Sequence, residues 1–157
     1  MTKIYIKYHN ENLNKIEHNP NGCWIDLRAS KNYEIPKGTN KLIDLGVSIK
    51  LPKYFQANIV PRSSTFKNYG LIQLNHLGVV DDTYSGNNDV WMFNGFALIS
   101  DSTVKENDRV CQFEIRPSQH APFWVKLKWL ISNKIVFIEV NNLDDTNRGG
   151  FGTSGKQ

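Results

Sequence analysis

An all-β sandwich or barrel is the fold class this sequence predicts, and three observations predict it. Apolar residues recur at every second position along several short runs. Turn-forming residues interrupt those runs at close intervals. Only one stretch carries helix start and stop signals together, and it is short. At 157 residues the chain suits one domain that buries its core without metals or disulfides.

The alternation begins at the N-terminus, where Ile4, Ile6 and Tyr8 interleave with Lys3, Tyr5 and Lys7. It returns in Leu45, Val47, Ile49 and Leu51 against Gly46, Ser48 and Lys50, and in Phe55, Ala57 and Ile59 against Gln56 and Asn58. In "RVCQFEI", Cys111, Phe113 and Ile115 oppose Gln112 and Glu114. These are half-buried strands, with turns at Pro36-Lys37-Gly38, Leu51-Pro52 and Glu106-Asn107-Asp108. The helix is expected within "STFKNY", with Ser63 and Ser64 as caps and Gly70 as its stop. The run "NHLGVVDDTYSGNNDVWMFN" predicts a hairpin whose arm delivers a carboxylate beside an aromatic ring. Asp81 and Asp82 are adjacent on a strand, so at most one of them faces a pocket.

Composition excludes several classes. Hydrophobic content of 39% and charged content of 22% are ordinary for a packed domain. No apolar run approaches the roughly 20 residues of a membrane span. The opening "MTKIYIKYHN" is a charged alternating strand rather than a signal peptide. Two cysteines, Cys23 and Cys111, form no disulfide framework, so a reduced cytoplasmic setting is expected. The net charge of +4 suits a polyanionic ligand, but the lysines are scattered. A small phosphorylated ligand fits that pattern better than a specific nucleic acid.

Two segments are shaped for anions. Arg62-Ser63-Ser64 sets a cation and two hydroxyls at a helix start, where backbone N–H groups are free. Alone it reads as an ordinary capped turn. The second segment, "RGGFGTSGKQ" from Arg148 to Gln157, nearly matches a phosphate-binding loop but has no helix after it. Together the two favour phosphate.

In order along the chain, "WIDLRA" (24–29), "PRSSTFKNYG" (61–70), "GVVDDTYSG" (78–86), "RVCQF" (109–113) and "RGGFGTSG" (148–155) resemble the five motifs of the trimeric dUTP pyrophosphatases, the dUTPases. Within that family the chain looks most like the short bacterial and bacteriophage-encoded forms. The resemblance implies a distorted jelly-roll barrel over residues 1–147, one short helix after Arg62, and a flexible C-terminal lid over 148–157. It implies hydrolysis of dUTP to dUMP and pyrophosphate by water attack on the α-phosphorus, with Mg²⁺ as cofactor. Asp81 aligns with the aspartate that activates the water. Arg62, Ser63, Ser64 and Gln112 align with contacts to the phosphates, and Asp26 with an aspartate acting on Mg²⁺ through a water. Asn75, Gly78 and Val80 line the uracil slot, and Tyr84 packs under the deoxyribose. In the lid, Arg148, Gly150, Gly152, Thr153 and Ser154 approach the phosphates and Phe151 stacks on uracil. Each site is shared in a homotrimer, with the Asp81 hairpin and the lid drawn from different subunits. Some phage-encoded relatives also bind regulatory proteins, which leaves such a partner open here.

Departures from the family pattern are visible. Cys23, Trp24 and Ile25 stand where the first motif usually has a small residue and glycine. Thr83, Ser85 and Asn87 replace acidic and arginine positions of the third. Arg109 either supports the site or pairs with an acidic neighbour, and the structural role is favoured. The connection 117–147 is longer than usual and is expected to add a hairpin or an interface strand. Two rivals remain: a dCTP deaminase of the same fold, whose catalytic glutamate would fall on Trp91, and a non-enzymatic regulatory module.

Overall fold

The computed structural model describes residues 1–18 and 22–150. The first half contains β1 (Thr2–Tyr8), β2 (Ile25–Arg28), β3 (Tyr33–Ile35), β4 (Asn40–Asp44), β5 (Val47–Lys50) and β6 (Phe55–Pro61). After helix α1 (Thr65–Tyr69) come β7 (Leu71–Gln73), β8 (Gly78–Asp81), β9 (Met92–Ala97), β10 (Ser102–Val104) and β11 (Arg109–Pro117). The chain then forms helix α2 (Phe123–Ile131) and strand β12 (Ile135–Glu139).

The strands make a distorted jelly-roll barrel from four hydrogen-bonded groups: β2-β11-β6-β8, β4-β9-β7, β12-β1-β5 and β10-β3. The period-two residues fill its centre. Ile4, Ile6, Leu45, Val47, Ile49, Ala57, Ile59, Cys111 and Phe113 are all buried, around Trp91 and Phe93. Trp91 meets Phe113 edge-on, ring centroids 5.3 Å apart. The predicted turns fall between strands: Gly38 adopts φ +76° between β3 and β4, and Asn107 adopts φ +69° between β10 and β11. The alternation fails at Ser48 and Asn58, polar positions that are also buried. Each has partners. Ser48 Oγ lies 2.8 Å from His9 Nε2, and Asn58 Nδ2 donates to Glu114 Oε1 at 3.0 Å.

Four expectations need correction. Gly70 ends α1 in the left-handed region, but Ser64 makes no side-chain cap. Its hydroxyl accepts from Arg62 Nη1 instead. The expected hairpin is not self-paired, because β7 pairs with β9 while β8 pairs with β6. A second helix, α2, exists where one was expected in all. And β12 pairs with β1 in parallel, from Thr2↔Ile135 to Ile6↔Glu139, rather than closing a hairpin.

Helix α2 escaped the periodicity for a physical reason. Trp129 turns inward, edge-on to Phe55 with centroids 5.3 Å apart, and Val125 packs beside it. Phe123, Trp124, Leu127, Leu130 and Ile131 occupy the opposite face and are exposed. A helix that is apolar on two faces leaves no single stripe for a 3.6-residue period to reveal.

Candidate active site

The predicted site residues fall into two groups at opposite ends of β6. At one end, β2 and β6 flank β11, so Gln112 lies between Asp26 and Val60 in register. Arg62 follows β6 and turns back: its Nε donates to Asp26 Oδ1 at 2.7 Å. Arg109 Nη1 reaches Asp26 Oδ2 at 3.1 Å, so Arg109 pairs with an acidic neighbour. Thr65 fixes the bend, accepting from Arg62 N at 2.9 Å and donating to Val110 O at 2.9 Å. Ser63 is exposed, and Gln112 Nε2 donates to Pro61 O at 3.4 Å. The result is two guanidinium groups on one carboxylate, an open cluster with net positive charge.

At the other end, β8 delivers Asp81 opposite Gln56. Its carboxylate accepts from Arg148 Nη1 at 2.9 and 3.0 Å. The Thr83 hydroxyl and backbone N–H also donate to it. Burial pushes the Asp81 carboxyl up, but the Thr83 bonds and the Arg148 guanidinium outweigh that and hold it below the usual carboxylate value. Asp82 points elsewhere, accepting from Tyr54 N at 2.6 Å. Tyr84 is half-buried; its hydroxyl donates to Val90 O at 3.0 Å, and its ring lies beside Gly150. Burial raises the Tyr84 hydroxyl pKa, as does the Asp89 carboxylate. Asn75 is exposed at the turn before β8, while Gly78 and Val80 are half-buried along it. Gly78 backs onto Ile59: a Cβ there would lie 3.1 Å from the Ile59 Cβ.

Nothing among the described residues of one chain brings these two ends together. Gln56 pairs with Asp81 and Val60 with Gln112, so four residues of strand, about 13 Å, separate them. Arg62 lies two residues further on. By contrast, Arg148 reaches the Asp81 of its own chain, where the resemblance places hairpin and lid in different subunits. Phe151, Gly152, Thr153 and Ser154 lie outside the described residues, as do Gly155, Lys156 and Gln157.

Sequence reasoning missed four residues here. Asp89 is buried and accepts from the backbone of Gly86, Arg148 and Gly149. The departures Thr83, Ser85 and Asn87 have partners within the chain. Thr83 bonds Asp81, Ser85 Oγ donates to Asp145 Oδ2 at 2.9 Å, and Asn87 Oδ1 accepts from Lys7 and from Leu143 N. Only the density of Asn and Asp over 87–89 hinted at such a network.

Fold and site together define a β-barrel protein with arginines gathered on carboxylates at both ends of one strand. Comparison with known proteins makes the class specific. The dUTPase family model matches residues 18–155, and the chain belongs to the dUTPase family. It is 42% identical over 153 residues, 98% of both chains, to the SPbeta prophage-derived deoxyuridine 5'-triphosphate nucleotidohydrolase of Bacillus subtilis. It is 35% identical to the deoxyuridine 5'-triphosphate nucleotidohydrolase of Crocosphaera subtropica, covering 90% of this chain and 89% of that one. Among solved structures, the dUTPase of Streptococcus mutans matches with a TM-score of 0.65 at 23% identity, over 73% of this chain and 93% of that one. The protein is a dUTP diphosphatase, which the buried Trp91 also favours over a deaminase, since an indole there supplies no acid.

Proposed function

We propose that the active site is assembled between copies of this chain, the Asp81 end of one meeting the Arg62 end of the next. The observation that carries this reading is the strand-length separation of the two ends along β6. A base must lie within hydrogen-bond reach of the water it activates. A second copy, in a homotrimer, supplies the missing half without distorting either. In that site Asp81 takes a proton from water as its oxygen attacks the α-phosphorus. The bond to the bridging oxygen breaks, and pyrophosphate leaves dUMP behind. Arg62, Ser63, Ser64 and Gln112 position the α- and β-phosphates, while Arg148 and the glycine-rich arm serve the far end of the triphosphate. Backbone groups from Asn75 through Gly78 and Val80 select uracil, and Tyr84 excludes a 2′-hydroxyl.

The residues present fit Mg²⁺ in one particular way. No cluster of three His, Cys, Asp or Glu occurs among the described residues. Asp26, already holding two arginines, suits an outer role through water. The ion would therefore be held chiefly by phosphate oxygens and waters, where it would neutralise charge on the triphosphate. A similar fold, the dUTPase of phage phi11 of S. aureus, was solved with a structural Mg(II) ion (TM-score 0.66, 15% identity).

No helix among the described residues is long and apolar enough to cross a membrane. We place the enzyme in the bacterial host cytoplasm, limiting uracil incorporation into DNA and supplying dUMP. A regulatory protein partner belongs to the same proposal; the structure of the similarly folded phage 80alpha dUTPase concerns control of virulence-gene transfer by phage dUTPases. Pyrophosphate release from dUTP, dTTP, dCTP and UTP, with and without a chelator, tests the reading. Release from dUTP alone, abolished by chelator, is expected; ammonia from dCTP would overturn it.

A further inference from the structure

Asp89 is a buried carboxylate, 1% exposed, and no lysine or arginine side chain pairs with it among the described residues. Its charge is met by backbone amides instead. Oδ2 accepts from Gly86 N at 2.9 Å and from Arg148 N at 2.9 Å. Oδ1 accepts from Gly149 N at 2.9 Å and from Arg148 N at 3.1 Å. A carboxylate buried without a cation needs such donors to satisfy its oxygens. Two of its three donor residues belong to the root of the C-terminal arm.

A second observation points the same way. Asn147 packs against Gly86 so closely that a Cβ on Gly86 would lie 2.4 Å from Asn147 Oδ1 and 2.5 Å from its Cα. Asn147 Oδ1 also accepts from Asn88 N at 2.8 Å. The 86–89 turn is thus shaped to receive this backbone and no bulkier approach. Gly149 takes φ +74°, the left-handed conformation that lets Arg148 N and Gly149 N converge on one carboxylate.

We infer that Asp89 is a positioning residue for dUTP hydrolysis: it anchors the arm's root on the turn after Asp81, so that the Arg148 side chain starts beside the base. The inference rests on the roles proposed for Asp81 and Arg148. Buried at 1% exposure, Asp89 acts through the backbone of the arm rather than on the substrate. By holding the Arg148 and Gly149 amides, it leaves the guanidinium free to swing between the Asp81 carboxylate and a phosphate.

Three measurements test this. In the nucleotide-free wild-type protein, the Arg148 and Gly149 amides should exchange with solvent at least about tenfold more slowly than in a free peptide. Trypsin should cut the Arg148–Gly149 bond slowly, as followed by mass spectrometry. Asp89→Asn keeps an acceptor for Gly86 but turns the other oxygen into a donor facing the arm. That variant should be cut after Arg148 about tenfold faster, while the Gly86 amide stays protected. Its KM for dUTP should rise about tenfold with kcat little changed, since the anchored fraction scales apparent affinity. Free exchange of the two arm amides in the wild type would overturn the proposal even if Asp89→Asn fails to fold. Unchanged cleavage and KM in a folded Asp89→Asn protein would overturn it as well. Neither protection assay depends on the reaction, so a failure of dUTP hydrolysis itself would show separately, in the pyrophosphate assay.

Discussion

Mixing two inactive variants measures whether the ends of β6 serve one site or two. Asp81→Asn removes the base and leaves the Arg62 end intact; Arg62→Ala does the reverse. Within one chain these ends are about 13 Å or more apart by strand rise, too far for one triphosphate to meet both at the α-phosphorus. A productive site then needs Asp81 from an Arg62→Ala chain and Arg62 from an Asp81→Asn chain. With random equal mixing in a trimer, about three quarters of trimers are mixed, and each holds one such site in three. About a quarter of all sites should be active, against roughly a hundredth or less for either variant alone. The assay is pyrophosphate release after co-refolding, with native mass spectrometry confirming mixed trimers. Activity that stays at the level of the separate variants, in a sample containing mixed trimers, would refute the shared-site reading.

Four further outcomes are expected. Asp81→Asn alone should bind a non-hydrolysable dUTP analogue near-normally while turnover falls by about a hundredfold or more, as single-turnover kinetics will show. Thr83→Val removes the hydroxyl that does most to offset burial at Asp81, so the carboxyl pKa should rise toward or above its usual value. A base with a lowered pKa stays ionised further into acid, so this variant's kcat/KM should begin to fall at higher pH than the wild type's, with neutral-pH activity unchanged. Ending the chain before Arg148 should leave circular dichroism and oligomer size intact, because a glycine-rich sequence offers little apolar surface to bury, yet cut turnover by about tenfold or more. Mixing Asp81→Asn with Arg148→Ala should restore nothing, since Arg148 reaches its own chain's Asp81; recovery to about a quarter of sites would place one chain's arm over another's base.

Much of this fold was legible because strand burial has a short, local signature. Ile4, Ile6, Val47, Ile49, Ala57 and Phe113 announced themselves by alternation and are all in the core. Ser48 and Asn58 did not, since burial of a polar residue depends on partners far off in sequence, such as Glu114 for Asn58. The site was legible as residue types and order, but not as geometry. "WIDLRA" and "PRSSTFKNYG" gave Asp26 and Arg62 without indicating that they pair. The Ser64 cap failed because Arg62 engages that hydroxyl. Asp89 carried no signal among neighbouring asparagines, because its role is set by backbone arriving from residues 148 and 149.

The two ends also differ in charge, and that difference suggests how nucleotide and base are coupled. Asp26 holds two arginines, so its cluster keeps a surplus positive charge and is ready for phosphate. Asp81 and Arg148 balance each other, and their contact occupies the carboxylate proposed as the base. An arriving triphosphate offers Arg148 stronger charge-assisted hydrogen bonds than one half-exposed carboxylate does. In the proposed reaction, drawing the guanidinium toward the phosphates would uncover Asp81 when a substrate is present. Thr83 stays behind, and its two hydrogen bonds offset part of the burial that pushes the Asp81 carboxyl up. The threonine that departs from the family's third motif would therefore remain as the partner of the proposed base once the arginine moves.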